Sequence, residues 1–393
     1  MTYQAAIAGG GIGGLAAAVA CTRAGWQVSL MEKAAVFSEV GAGIQLGPNV
    51  VKVLHHWGLA SALEAVAAFP AHLHVRSALS GRLLGGMRLG RDIATRYGAP
   101  YATVHRADLH GLLLGLVQQQ SGTSLLLNTQ LQSFSHASDS VTVRTTAGAD
   151  LQANILVGAD GLWSVVRQQL LADGVPRLTG HLAYRAMLRQ SALPEKLRTQ
   201  NVTVWLGPRM HLVHYPVERG EWLNVVAFAH GALVDDLQTW DHSANAVELA
   251  ASLDGSCTAL RDLVQAVPDW RLWVMHDRPP MQDAQQMAQG RVALLGDAAH
   301  PMRPYLAQGA GMAIEDAAEL GAALYGITSQ NVPAALQSYA TNRWQRNARV
   351  QTRALRNGQI FHATGPMRWG RDVAMRLMGE KLLDMPWLYG FQK

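Results

Sequence analysis

Cysteine and charged side chains are both scarce in this 393-residue chain. Its two cysteines exclude a disulfide framework and a cysteine-rich zinc module, and they are typical of a reducing compartment such as the cytoplasm. Charged residues make up 16% and apolar residues 49%, which excludes disorder and a long coiled coil. The net charge of +5 comes without a run of Lys or Arg, which argues against a nucleic-acid partner.

The first 22 residues contain no charged side chain and resemble a signal peptide or a membrane span. A signal peptide needs a basic segment before its apolar run, and none is present. Five glycines between Gly9 and Gly14 would also make a poor span of the ~20 residues that a bilayer requires. A buried strand, a tight turn and a buried helix are therefore the preferred interpretation, with no membrane span.

The glycines form a Gly9-x-Gly11-x-x-Gly14 pattern between a predicted strand and a predicted helix. The first glycine permits the tight turn, the second lets the backbone approach a pyrophosphate, and the third lets helix and strand pack closely. The helix amino terminus offers N–H groups to phosphates. Glu32 ends the next predicted strand, where an acid binds ribose hydroxyls. A dinucleotide site is predicted, without deciding between FAD and NAD; the alternative is a glycine turn with a solvent-facing Glu32.

Strand–turn segments of this type occur three times, near 3–33, 155–167 and 291–322. Between the second and the third, alternating strands predict an antiparallel sheet with one covered face. The expected fold is α/β: a Rossmann-like dinucleotide domain built from discontinuous segments, an inserted, mostly antiparallel β-sheet domain, and C-terminal helices. The predicted boundaries are 1–70, 100–175 and 275–340 for the first domain, 71–99 and 176–274 for the second, and 341–393 for the helical segment.

Two further stretches carry a resemblance to a family. GADGLWSVVR (158–167) and LLGDAAHPMRPYLAQGAGMAIEDA (294–317), together with the first glycine pattern, resemble the signatures of single-component FAD-dependent aromatic hydroxylases. VGAGIQLGPNVVKVLHHWGL, HRADLHGLLL, HLAYRA and HLVHYP resemble the branch that acts on 3-hydroxybenzoate, salicylate and 6-hydroxynicotinate. The resemblance covers most of the chain and is weakest after about Arg356.

The resemblance implies an FAD-dependent monooxygenase that uses NADH, rather than NADPH, and O2 to hydroxylate a small aromatic acid through a flavin 4a-hydroperoxide. The implied activity is most like 3-hydroxybenzoate 6-hydroxylation to gentisate, with salicylate or 6-hydroxynicotinate as alternatives. From other classes, an FAD oxidase or dehydrogenase without oxygen insertion, or a flavin-binding protein without catalysis, stays open. FAD is expected to be non-covalent, and the single fingerprint fits an NADH that visits transiently. No metal is implied, and a homodimer is left open.

The resemblance also implies a set of cofactor-binding residues. Asp297 would accept hydroxyls of the FAD ribitol, since a lone acid ending a buried strand is otherwise costly; the alternative is a cap of the next turn. The helix starting near 308–311 would point its amino terminus at the flavin, and segment 41–45 would lie along the ring. The complete set is Gly9, Gly11, Gly14, Glu32, Lys33, Gln45, Arg106, Asp160, Asp297, Pro301, Gly309, Ala310, Gly311 and Met312.

Two of these have plain alternatives. Arg106 matches the family arginine that meets FAD phosphates, and its alternative is an exposed arginine at a helix start. Asp160 belongs to the second signature together with Arg167, and the alternative is an Asp160–Arg167 ion pair that holds the turn.

Ring hydroxylation needs a base that removes the phenol proton, and histidine is the usual choice because its pKa lies near working pH. Strand periodicity puts His211 and Tyr215 on one face and His214 on the other. The resemblance implies that His211 is the base and Tyr215 a partner of the substrate carboxylate or hydroxyl; the alternative is a sheet histidine with a backbone partner. His300 is the second candidate, or else a turn residue that supports Pro301.

Three features leave the substrate open. Pro304 stands where 3-hydroxybenzoate hydroxylases carry Gln, and Gln45 replaces the His of 6-hydroxynicotinate enzymes. Arg303 would offer a charge to a carboxylate or face solvent.

Farther on, arginines recur every three or four residues, which predicts a solvated or domain-bridging helical face rather than a ligand site; they are Arg343, Arg346, Arg349, Arg353 and Arg356.

Overall fold

The computed structural model describes residues 3–37, 42–231 and 242–391, without the side chains of 242–246. Residue 41, the first of the segment expected along the flavin ring, lies outside the described residues. The strands are β1 Gln4–Ala8, β2 Gln27–Met31, β3 Gly43–Leu46, β4 His72–Ser77, β5 Leu83–Arg88, β6 Ala102–His105, β7 Thr123–Leu126, β8 Leu131–His136, β9 Val141–Thr145, β10 Asp150–Ala153, β11 Ile155–Gly158, β12 Arg177–Arg189, β13 Val202–Gly207, β14 Met210–Val217, β15 Trp222–His230, β16 Arg271–Asp277, β17 Ala288–Gln289 and β18 Val292–Leu294.

The helices are α1 Ile12–Arg23, α2 Pro48–His56, α3 Ala60–Val66, α4 Gly90–Tyr97, α5 Arg106–Gln118, α6 Val165–Leu171, α7 His242–Ser252, α8 Thr258–Gln265, α9 Gly309–Leu324, α10 Val332–Phe361, α11 Gly365–Met378, α12 Glu380–Leu383 and α13 Pro386–Tyr389. None of the helices in the described ranges is long and apolar enough to cross a membrane. The charge-free amino terminus forms β1, the glycine turn and α1, as the preferred interpretation predicted.

The chain divides into two compact units, each assembled from three separated stretches. The first unit comprises 1–40, 107–177 and 277–354, and the second comprises 41–106, 178–276 and 355–393. The first unit contains a six-stranded sheet of order β17-β18-β11-β1-β2-β7, in which all neighbours except β17 and β18 are parallel. β1 and β11 are continuous apolar runs because a central parallel strand is buried on both faces. The predicted Rossmann-like fold is confirmed.

The second unit contains a seven-stranded sheet of order β16-β12-β15-β14-β13-β4-β5. Its four middle strands, β12 to β15, pair antiparallel, and β13 pairs with β4 in parallel. One face packs under α7 and α8, where Leu212 and Val225 share a core with Leu249 and Leu260. The other face is also partly covered: near β4 and β5, Met375 of α11 joins the apolar side chains of this face. The expectation of a single covered face is therefore incomplete.

The two units differ from the predicted domains. Residues 42–70 and 100–106 group with the second unit, because β3 pairs with β6 and the N–H of Gly43 donates to Asn224 Oδ1 of β15 at 2.7 Å. The segment 341–393 does not form a unit of its own, because α10 runs unbroken from Val332 to Phe361 and its first part belongs to the first unit.

Candidate cofactor and substrate sites

The glycine turn of the first unit is packed too tightly for side chains. Gly9 has a φ of +101°, and a Cβ at this position would lie 2.4 Å from the carbonyl oxygen of Ala159. A Cβ at Gly14 would lie 1.8 Å from the carbonyl oxygen of Gly9. The first and third glycines therefore have the tight-turn and close-packing roles predicted for them.

Two helices of the first unit begin without a side-chain cap. α1 begins after Gly11 and α9 after Gln308; at neither end does a side chain make a cap hydrogen bond, and neither first turn holds an acidic residue in the described structure. An uncapped helix amino terminus presents N–H groups and positive partial charge, which suits an anion. The first turn of α9 contains Ala310, Gly311 and Met312; the Met312 side chain is fully buried, so only its backbone can face a ligand.

Glu32 follows β2 and holds the glycine turn. Its Oε2 accepts the N–H of Gly10 at 2.8 Å, and its Oε1 accepts the N–H of Ala34 at 2.9 Å. The side chain is half-buried, so the solvent-facing alternative is wrong. Each oxygen keeps a further lone pair for a ribose hydroxyl. The neighbouring Lys33 is exposed. The sequence interpretation missed His110 of α5, whose Nε2 bonds to the carbonyl oxygen of Gly10 at 2.8 Å.

Asp297 does not lie at the end of a buried strand, where the sequence analysis expected it. β18 ends at Leu294, and Asp297 is exposed in a short turn between β18 and α9. The premise of a buried lone acid is wrong, because the strand stops before the acid and the turn carries the carboxylate into solvent. Its Oδ1 lies 4.0 Å from the position of a Cβ on Gly309, next to the start of α9. An accessible acceptor beside an uncapped helix end fits a polyhydroxylated anionic ligand such as FAD.

The second signature contains no Asp160–Arg167 ion pair. Asp160 caps α6 by accepting from Ser164 Oγ at 2.5 Å and from the N–H of Val165 at 2.8 Å. Burial raises the pKa of Asp160 against the opposing effect of these hydrogen bonds. Arg167 instead pairs with Asp173 at 2.6 Å and donates to the carbonyl oxygen of Ala298 at 3.1 Å. Arg167 thereby ties the second signature to the turn that carries Asp297.

His300 is enclosed in a charged cluster within the first unit. It is fully buried, and its Nε2 bonds to Asp316 Oδ2 of α9 at 2.5 Å. Burial alone would raise the pKa of Asp316, but His300 and Arg343 hold it well below its usual range. These contacts fit a residue that positions the turn better than one that touches substrate. The next residue, Pro301, is buried and accepts from Gln351 Nε2 at 3.2 Å.

The arginine face of α10 is not simply solvated. Arg343 is fully buried and bonds Asp316 at 2.7 Å and Glu315 at 2.8 Å. Arg346 also pairs with Glu315 at 2.7 Å. Of the two alternatives, the solvated one is wrong for Arg343, because α9 presents two carboxylates to this side of α10; with the predicted boundaries, these ion pairs join the helical segment to the first domain.

His211 and Tyr215 share a face of the second unit's sheet, and His214 points to the other, as the strand period predicted. In an antiparallel sheet, directly opposed residues lie on one face, and three rows follow each other on the His211 face. They are Ala183–Phe228–His211, Arg185–Val226–Val213 and Met187–Asn224–Tyr215. In the middle row Arg185 and Val213 are partly exposed, as is Met187 in the Tyr215 row, so the face is open to a ligand at and beside the middle row.

His211 has another imidazole as a hydrogen-bond partner. Its Nδ1 lies 2.7 Å from His362 Nε2, and His362 Nδ1 lies 2.9 Å from Nε2 of the exposed His230. The ring stacks on Phe228 with centroids 4.6 Å apart. Burial, and then His362 and His181, lower the pKa of His211 well below its ordinary value. This direction is opposite to the one that would favour a base with a pKa near working pH, because burial disfavours the imidazolium.

Tyr215 holds a backbone strand. It is buried, and its hydroxyl donates to the carbonyl oxygen of Gly43 at 2.7 Å, while Asn224 accepts the N–H of Gly43. A Cβ on Gly43 would lie 2.8 Å from the Tyr215 ring, so β3 rests directly on the sheet. Gln45 of β3 accepts the hydroxyl of Tyr101 at 2.7 Å. The Tyr215 hydroxyl can still accept a hydrogen bond from a ligand.

The arginines near these sites have different surroundings. Arg303 bonds the buried Asp277 at 2.8 Å, and Arg177 pairs with the same carboxylate at 3.1 Å, so Arg303 does not face solvent alone. Arg106 begins α5, is half-buried, and its N–H donates to the carbonyl oxygen of Ala42 at 3.1 Å. Arg185, which the sequence interpretation did not select, has its Nε buried with no hydrogen-bond partner in the described residues.

Comparison with known proteins identifies the family of this chain. A family model described as an FAD binding domain matches residues 2–354. The chain is 38% identical over 387 residues to the 3-hydroxybenzoate 6-hydroxylase of Polaromonas naphthalenivorans, with 98% of this chain and 95% of that protein covered. It belongs to the FAD-dependent aromatic hydroxylases. The 6-hydroxynicotinate 3-monooxygenase of Bordetella bronchiseptica is 35% identical, over 88% of this chain and 89% of that protein.

Solved structures of the family have the same fold. Klebsiella pneumoniae HpxO, crystallised with FAD and uric acid, superposes with a TM-score of 0.86 at 25% identity, covering 97% of this chain and 94% of that one. As a member of the FAD-dependent aromatic hydroxylases, this chain is a flavin monooxygenase with FAD as its cofactor. The uncapped starts of α1 and α9 and the exposed Asp297 fit that cofactor.

Proposed function

We propose that this hydroxylase uses NADH and O2 to add a hydroxyl group to a small aromatic acid, with 3-hydroxybenzoate, hydroxylated to gentisate, as the first candidate. The observation that carries the proposal is the open row of the second unit's sheet, flanked by the His211 row and the Tyr215 row. The 38% identity to a 3-hydroxybenzoate 6-hydroxylase supports the choice of acid. Salicylate and 6-hydroxynicotinate are the alternatives, the latter supported by the Bordetella relative. The two free cysteines favour a cytoplasmic location.

FAD supplies the redox chemistry when bound: it accepts hydride from NADH and activates O2 for transfer to the ring. The N–H groups at the start of α1 would bind the pyrophosphate, with Arg106 as a further phosphate contact. Glu32 would accept from the ribose and Asp297 from the ribitol. The amino terminus of α9, from Gly309 to Met312, would stabilise negative charge on the bound flavin.

His211 handles the phenol proton. Burial disfavours the imidazolium, which favours the neutral imidazole that a base requires. Nδ1 of His211 bonds His362, and His362 bonds the exposed His230, so a proton taken from the substrate hydroxyl has a path of two hydrogen bonds toward His230. This path offsets the weakness of a buried base, since the proton does not have to stay on His211.

Tyr215 and His300 position other groups. Tyr215 fixes Gly43 and so the strand that carries Gln45, which we propose contacts the flavin. Its hydroxyl oxygen accepts from the substrate. His300 holds the turn between Asp297 and Pro301 against α9 through Asp316. Pro304 cannot bond a phenol, so the substrate hydroxyl depends on His211.

A panel of aromatic acids tests the function. Purified protein saturated with FAD is mixed with NADH and each acid in turn, including 3-hydroxybenzoate, salicylate and 6-hydroxynicotinate. NADH oxidation, O2 uptake, hydrogen peroxide and product mass are measured, with NADPH as a parallel donor. We expect one acid to gain a single oxygen atom, about 16 daltons, with little peroxide. Peroxide formation with every acid and no product would favour an oxidase instead.

A further inference from the structure

Arg185 and Asn224 place two unused donors on the open part of the sheet face. Arg185 lies directly opposite Val226 on β15, and Asn224 is two residues from Val226 on the same face. The two side chains are therefore diagonal neighbours, near enough for both to reach one small ligand. Arg185 Nε and Asn224 Nδ2 are both buried, and neither has a hydrogen-bond partner in the described residues. Asn224 Oδ1 accepts from Gly43, which fixes its Nδ2 as the open donor.

The charge of Arg185 has no carboxylate partner in the described structure. Burial lowers the pKa of Arg185, and the nearby Arg106 acts in the same direction. Tyr215 is the neighbour that opposes this shift, but burial raises the pKa of its phenol, which keeps it neutral. The guanidinium lies over the Trp273 ring, 4.9 Å from its centroid. Such a group remains charged at neutral pH, and a buried charge without a counter-ion is unfavourable until an anion pairs with it.

The side chains on this face favour a planar anionic ligand that contains an aromatic ring. A guanidinium matches a carboxylate through two parallel N–H···O bonds, and an amide N–H supplies a further donor. The partly exposed Val213, in the same row, offers an apolar surface for a ring. Arg303, the other arginine considered for this role, already has the carboxylate of Asp277 as a partner, whereas Arg185 has none in the described residues.

We propose that Arg185 and Asn224 form the binding site for the carboxylate of the aromatic substrate and thereby select acids over neutral phenols. The assignment rests on the proposed function for the identity of the ligand. An acid held by its carboxylate in the middle row lies between the His211 row and the Tyr215 row, and it can present its hydroxyl to the His211 row.

The test compares an acid with its amide. Binding of 3-hydroxybenzoate and 3-hydroxybenzamide to the oxidised, FAD-saturated enzyme is followed by flavin absorbance, for wild type, Arg185→Met and Arg189→Met. Arg189 is the matched control: it lies four residues along the same strand, is exposed, and stacks on Trp222 at 5.2 Å. Hydrogen bonds to charged groups predict that wild type and R189M prefer the acid by about 10- to 100-fold. We expect R185M to lose this preference and to keep its affinity for the amide and its KM for NADH.

Several results would overturn the assignment. It fails if R185M keeps the acid preference, if R189M loses it equally, or if wild type binds no member of the acid panel. A rise in the KM for NADH with unchanged acid binding would show that Arg185 serves the nucleotide instead. R185M without ligand should also melt at the same or a higher temperature than wild type, because an unpaired charge is gone; a lower melting temperature contradicts the argument. If acids bind through Arg185 but none is hydroxylated, the proposed function fails and the carboxylate site stands.

Discussion

Replacing His214 by Phe should make the protein less sensitive to acid. His214 lies on β14 in the face opposite to His211, is buried, and stacks on Trp205 with centroids 6.4 Å apart. Neither of its ring nitrogens has a hydrogen-bond partner in the described part of the chain. Burial, and then the charge of Arg76, lowers its pKa from 6.5 to about 4.

The magnitude follows from the two pKa values. Between pH 6.5 and 4 the unfolded chain binds a proton at this residue and the folded chain does not, so folding stability is lost as pH falls. From pH 7.5 to pH 5 the loss from His214 amounts to about 2 kcal/mol. Phe removes this term, and at pH 7.5 it also removes two unsatisfied polar atoms, a gain of about 1 kcal/mol after some overpacking.

Urea unfolding of the FAD-saturated protein at pH 7.5 and pH 5 measures both effects. His214→Phe should lose about 2 kcal/mol less than wild type between the two pH values. His136→Gln, at an exposed histidine of β8, is the control and should behave as wild type. An unchanged pH dependence in H214F would refute the reasoning, as would a marked loss of stability at pH 7.5.

Three further predictions concern the active residues and the cofactor. His211→Ala should keep FAD but cut hydroxylation by about 10²-fold or more, measured as product formed per NADH oxidised. If the variant still forms one product per NADH, His211 is not the base. Glu32→Ala should weaken FAD binding, and Asp297→Ala should weaken it as much or more, measured by titrating apoprotein with FAD; two unchanged affinities would disprove both roles. Gly14→Ala should release FAD and lower the melting temperature, because its Cβ would meet the Gly9 carbonyl at 1.8 Å; a yellow, stable variant would contradict the packing.

Local patterns predicted the parts that depend on local geometry. The Gly9 to Gly14 spacing indicated a strand–turn–helix because only glycines fit a turn this tight, and the structure contains it. The period of two along β14 separated His211 from His214 correctly, since strand geometry alone decides it. The family resemblance, carried by the three signatures, is confirmed over nearly the whole chain.

Long-range partners could not be predicted from the sequence. No local pattern distinguishes Arg185 from other arginines on strands, because only the register of three strands places it in the middle of a sheet face. His211 bonds His362, 151 residues away, and no local pattern joins the two. Whether the Arg343 face was solvated or bridged to another element stayed open, because helical spacing shows which residues share a face but not that α9 brings Glu315 and Asp316 to it.

The interleaving of the two units constrains how this chain is made in a cell. β1 leaves the ribosome before two of the strands that complete its sheet: its neighbour β11 follows about 150 residues later, and β18 later still. At a synthesis rate of roughly 5–20 residues per second, β1 waits many seconds for these partners. Neither unit can finish folding before the other has largely been synthesised, since each needs a segment from the last third of the chain. The two units therefore cannot fold one after the other during synthesis, and the strands of each stay incompletely paired until its last segment has been made.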